Sequence, residues 1–131
     1  MATKRATIRL NHVNHVVYIV RDKERSLAFY RDVLGLKVIP KMVDAENIEW
    51  LQLPSGVMVH LIQTDLAPAP NPCHTAFEVE DFDATVKSLE SLGITIENRG
   101  VRKDGQRFLF IRDPDGNRVE LCTKSGFGVV Q

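Results

Sequence analysis

With 131 residues, 17 basic against 17 acidic side chains and 44% hydrophobic residues, the chain has the size and polarity of one compact globular domain. Its zero net charge provides no field to attract nucleic acid or an anionic membrane, and no apolar run is long enough to span a bilayer. Two cysteines, Cys73 and Cys122, are too few for a disulfide framework, so a reduced, cytoplasmic protein is expected.

Residues 1–11 read as a basic N-terminal tail without the apolar stretch of a signal peptide. Residues 12–20, rich in Val, Ile and Tyr, predict a strand. Asp22 is placed to cap a helix over Lys23 to Leu34, in which Leu27, Tyr30 and Leu34 recur at helical spacing, and Gly35 is placed to end it. A strand from Leu36 to Ile39 follows, and then a hairpin, 47–53 and 57–62, around Pro54-Ser55-Gly56. Residues 66–72, with Pro68, Pro70 and Pro72, predict a stiff linker.

The order then repeats: strand 74–79, helix 83–92 stopped by Gly93, strand 94–97, and strands 107–112 and 117–122 around Asp113-Pro114-Asp115-Gly116. Residues 124–131 are expected to form a C-terminal tail. The chain therefore reads as two βαβββ modules, 12–65 and 73–123. A duplicated unit draws attention to whatever both copies keep. His15 opens the first strand of one copy and His74 that of the other; His60 and Glu120 stand at equivalent places in the closing strands, and the two separations agree within one residue.

Strand alternation puts Val59 and Leu61 on the face opposite His60, and Val119 and Leu121 opposite Glu120. Those apolar residues should meet the helices, through Leu27, Tyr30 and Leu34 in one copy and Val86 and Leu89 in the other. The other face carries His15, His60, His74 and Glu120, with Trp50, Met58, Phe110, Arg118 and Cys122 as candidate lining of a substrate pocket. Three imidazoles and a carboxylate suit a divalent ion, Zn, Ni, Co, Fe or Mn, and leave positions open for a substrate. His12 has the wrong parity to join them.

The segments His15-Val16-Val17-Tyr18-Ile19-Val20-Arg21-Asp22, Ser26 to Leu36 and Asp113-Pro114-Asp115-Gly116-Asn117-Arg118-Val119-Glu120-Leu121 resemble the vicinal oxygen chelate superfamily. This superfamily includes glyoxalase I, extradiol dioxygenases, fosfomycin-resistance proteins and bleomycin-binding proteins. The resemblance implies an α+β fold in which paired βαβββ modules form a U-shaped mixed-sheet half-barrel, paired across a homodimer with shared sites. It implies His15, His60, His74 and Glu120 as metal ligands, with Glu120 also the catalytic base of a glyoxalase-like lyase or isomerase acting on a small substrate with adjacent oxygens. An Fe(II) dioxygenase and a non-catalytic small-molecule binder are the alternatives.

Several positions depart from particular members. His60 stands where glyoxalase I proteins usually carry Glu or Gln, which leaves Glu120 the one carboxylate base. Val17 and Phe110 replace the Thr and Tyr favoured by fosfomycin-resistance proteins.

Overall fold

The computed structural model describes residues 9–68, 70, 72–126 and 128. Of the expected tails and linker, residues 1–8, 69, 71, 127 and 129–131 lie outside the described residues. Two four-stranded mixed sheets, each with one helical segment, realise the tandem βαβββ arrangement.

In the first module β1 (His15–Val20) runs parallel to β4 (Met58–Gln63), followed in the sheet by β3 (Ile48–Gln52) and β2 (Lys37–Ile39) in antiparallel pairing. The second sheet has the same order: β5 (His74–Glu78) parallel to β8 (Arg118–Cys122), then β7 (Arg107–Arg112) and β6 (Glu97–Val101). In each module the helix joins the two edge strands, β1 to β2 and β5 to β6, which lie at opposite ends of the sheet and so cannot be linked by a tight turn.

The helix α1 (Lys23–Leu27) starts as its sequence predicts, with the Asp22 carboxylate accepting from the Arg25 N–H. It then widens into π-type turns over Ala28–Val33, with Leu34 N–H reaching back to the Phe29 carbonyl at 3.0 Å. Gly35, at φ 77°, ends it in the left-handed conformation that favours glycine. The helix α2 (Phe82–Ser91) is regular and is capped by Asp81, whose side chain accepts from the Ala84 N–H.

Two strands depart from expectation by more than one residue at an end. β1 begins at His15, three residues late, and the strand expected at 94–97 is β6 at Glu97–Val101. Ile94 and Ile96 are apolar because they pack on the core, whereas strand pairing falls on the polar run after them. That run carries a register shift between Glu97 and Gly100, with Asn98 at φ 37°.

The helix-side faces of both sheets feed one core. Val20, Leu51, Val59 and Leu61 come from the first module and Leu109, Ile111, Val119 and Leu121 from the second, with Leu27, Tyr30 and Leu89 from the helical segments. Burial of these side chains contributes about 2 kcal/mol each. A polar clasp ties the modules beneath them. Buried Asp113 accepts from Tyr30 Oη at 2.8 Å, from Asn117 Nδ2 and Asn117 N at 2.8 Å, and from Asp115 N at 2.9 Å. Asn117 Nδ2 also donates to the Ile19 carbonyl at 3.0 Å, and Arg25 Nη2 meets Asp115 Oδ1 at 2.7 Å. The face of each sheet that carries the histidines therefore points away from the shared core.

Candidate metal site

On the first sheet His15, Val17, Met58, His60 and Trp50 share one face, since Val17 and Trp50 are both register partners of His60, and His15 is the partner of Met58. The His60 ring lies between two others: it stacks on His15 with centroids 4.2 Å apart and on Trp50 at 4.2 Å and 8°. Only 8% of His60 is exposed, and its Nε2 is buried without a hydrogen-bond partner. A buried polar atom left unpaired costs free energy, so such an atom marks a place built for something else. Burial, and secondarily the neighbouring His15, hold the His60 imidazole below its ordinary pKa, in the neutral form that a metal ligand requires. His15 Nδ1 donates to Asn14 Oδ1 at 2.8 Å, which leaves Nε2 with its lone pair.

On the second sheet His74, Arg118, Glu120, Cys122, Phe110 and Phe108 share the corresponding face. His74 Nε2 lies 3.0 Å from Glu120 Oε1, and His74 Nδ1 lies 2.7 Å from the Pro72 carbonyl. Both partners are acceptors, whereas a neutral imidazole has one N–H. The geometry calls for either a second proton on His74 or a cation shared by Nε2 and Oε1. With donors about 2.1 Å from an ion, two adjacent octahedral positions lie about 3.0 Å apart, which matches the observed separation. Glu120 is 5% exposed, and its other oxygen, Oε2, accepts from Arg102 Nη1 at 3.1 Å.

The four candidate ligands are thus brought together as two pairs, His15 with His60 and His74 with Glu120. Among the described residues no group of three or more metal-capable side chains forms within the chain. Each pair fits a divalent ion in donor type, and each is half of the expected set.

The candidate pocket residues divide in the same way. Trp50 and Met58 flank His60, while Phe110 packs edge-on to His74 at 5.0 Å and carries the Arg118 guanidinium 4.0 Å above its ring. Cys122 is buried, with Sγ 3.6 Å from the Phe77 carbonyl, and its thiol is pushed up by burial, then by Glu120 and Glu78. His12 precedes β1 and bonds the adjacent Val13 carbonyl.

Two residues that sequence reasoning missed belong to this set: Asn14, which orients His15, and Arg102, which holds Glu120. Neither is marked by the repeat. Asn14 precedes the strand, and Arg102 follows β6 in a turn whose register the sequence did not reveal.

The tandem modules, with a His pair on one sheet and a His and Glu pair on the other, define a class of fold rather than a reaction. The chain belongs to the glyoxalase/bleomycin resistance protein/dioxygenase superfamily, whose sequence pattern matches residues 12–121. It is 31% identical to Glyoxylase I 4 of Arabidopsis thaliana over 94% of this chain and 76% of that one. It is 34% identical to YaeR, an uncharacterized protein of Escherichia coli K12, over 86% of this chain and 95% of that one. A crystal structure of a glyoxalase/dioxygenase from Nostoc punctiforme superposes with a TM-score of 0.75 at 26% identity, covering 95% of this chain and 98% of that chain.

Proposed function

We propose that the protein is a divalent-metal-dependent enzyme of glyoxalase-like lyase or isomerase type, acting on a small substrate with adjacent oxygen atoms. The observation that carries the reading is the His74 Nε2 to Glu120 Oε1 approach of 3.0 Å while His74 Nδ1 faces the Pro72 carbonyl, a spacing that a cation shared by Nε2 and Oε1 would fit. The orphaned Nε2 of His60 supports it from the other sheet.

His15, His60, His74 and Glu120 would hold the ion. When bound, it would act as a Lewis acid toward the substrate oxygens, which lowers the cost of removing a proton from a carbon that bears one of them. Trp50 and Phe110, set across the hairpins from His60 and Glu120, would shield the assembled site from water. Glu120 would move the proton through Oε2, the oxygen turned from His74, and as the one carboxylate of the set it makes the chemistry one-sided.

A homodimer completes the site in this reading. The chain's own core turns the two half-sites outward, so the His pair of one copy is available to the His and Glu pair of another.

Metal analysis of native protein tests the proposal, with a transition metal expected and activity expected to fall at least 100-fold in E120Q. Native protein without transition metal, and no uptake on titration, would sink it. Iron as the native metal would favour ring-opening dioxygenase chemistry. A non-catalytic binder is the second reading, favoured by the half-buried Trp50, which shares its face with Val17 and Met58 as well as the histidines; ligand binding that survives E120Q, with no turnover by wild type, would favour it.

A further inference from the structure

We propose that Arg102 is a positioning residue that keeps one oxygen of Glu120 away from the metal, and so keeps an extra coordination position open for substrate. The inference rests on the metal-site reading above.

Arg102 stands at the start of the β6–β7 turn. Its backbone N–H donates to the Gln106 carbonyl at 2.8 Å, and its carbonyl accepts from Gly105 at 3.0 Å. Its guanidinium lies 3.9 Å above the Phe108 ring, which belongs to the same face as Glu120. From that seat Nη1 donates to Glu120 Oε2 at 3.1 Å and to Gln106 Oε1 at 3.4 Å. Gln106 is itself held by the Thr123 carbonyl, which accepts from Nε2 at 3.0 Å. A guanidinium is planar and presents its donors in a fixed fork, so stacking on a ring also fixes where those donors point.

The consequence falls on the two carboxylate oxygens. Oε1 is turned to His74 and Oε2 is committed to Arg102. A carboxylate that binds through both oxygens takes two positions on an ion, and one that binds through a single oxygen takes one. Three imidazoles and one carboxylate oxygen leave an octahedral ion two open positions, the number a substrate with adjacent oxygens fills. Release of Oε2 would fill one of them. The arrangement has an electrostatic cost, because a fixed positive charge beside the site opposes a cation. Arg102 thus trades metal affinity for substrate access.

Titration of metal-stripped protein with Mn(II) tests this, reading the dissociation constant by calorimetry and the number of exchangeable bound waters by water-proton relaxation. R102M is expected to bind Mn(II) about tenfold more tightly, since a like charge is gone, and with one bound water fewer than wild type. R102K, which keeps the charge, is expected to restore the wild-type affinity. F108L, which removes the flat seat but leaves the charge, should lose the water with little change in affinity, and it covers the case in which R102M folds poorly. Wild-type water counts in R102M and F108L, or weaker binding by R102M, would overturn the role of Arg102 alone. A wild-type chain that takes up no Mn(II) would overturn the metal site and this inference together.

Discussion

Replacing Asp113 by Ala should be strongly destabilising. The Asp113 carboxylate is 4% exposed and accepts four hydrogen bonds: from Tyr30 Oη, Asn117 Nδ2 and Asn117 N at 2.8 Å, and from Asp115 N at 2.9 Å. Hydrogen bonds to a charged group are worth roughly 1.5–3 kcal/mol each, but they share one acceptor and do not add. The Tyr30 hydroxyl, on a residue with no exposed surface, is left without its partner, at a further cost of about 1–3 kcal/mol. Together these place the loss near 4 kcal/mol. For a chain of this length, that corresponds to a fall in Tm of about 15 °C.

Tyr30→Phe, in contrast, removes a single donor and leaves Asp113 three others, so it should cost about 1.5 kcal/mol. Urea unfolding followed by circular dichroism at neutral pH reads both values. A loss below about 1 kcal/mol for Asp113→Ala would refute the view that this carboxylate clasps the two modules.

Three further outcomes follow from the geometry. In native protein a disulfide reagent at mildly alkaline pH should modify exposed Cys73 quickly and buried Cys122 only on unfolding; two fast thiols would contradict the burial described here. The Asp104 carboxyl is held below its ordinary value of 3.8 by the N–H groups of Gln106 and Gly126, so the stability it contributes is complete above that value and fades as pH falls below it. Asp104→Asn should flatten that acid limb, and an unchanged limb in denaturant titrations at several pH values would count against it. Gly116→Ala should cost about 1 kcal/mol in the same urea assay, because the turn holds Gly116 at φ 87° with open space around it.

Much of the fold was legible because its signals are local. Both βαβββ orders, Asp22 as a helix start and the glycines at 35 and 93 follow from periodicity and turn chemistry. Strand parity also put His15, His60, His74 and Glu120 on the faces turned from the helices, with Trp50 and Phe110 among the candidate lining, and the strand register places those two opposite His60 and Glu120. The misses are tertiary. Ile94 and Ile96 read as a strand because burial and pairing draw on the same residues, and the wide turns of Ala28–Val33 leave the apolar spacing of α1 almost unchanged. Arg102 could not be found, since its reach to Glu120 depends on a register shift in β6 and on a flat seat over Phe108. The separation of the four candidate ligands into two pairs was hidden for a similar reason. The repeat states that the copies are equivalent, and only the packing of both sheets onto one core states which way their faces turn.

The central claim, that each chain carries two half-sites completed by a second copy, is tested most directly by complementation. One variant, H15A with H60A, lacks the first pair; another, H74A with E120A, lacks the second. Each alone should bind no Mn(II), and an unfolded and refolded equimolar mixture should recover binding, because a mixed dimer rebuilds one intact site from the two undamaged pairs. Wild-type binding by either variant alone, or a mixture that forms mixed dimers yet takes up no metal, would contradict the account.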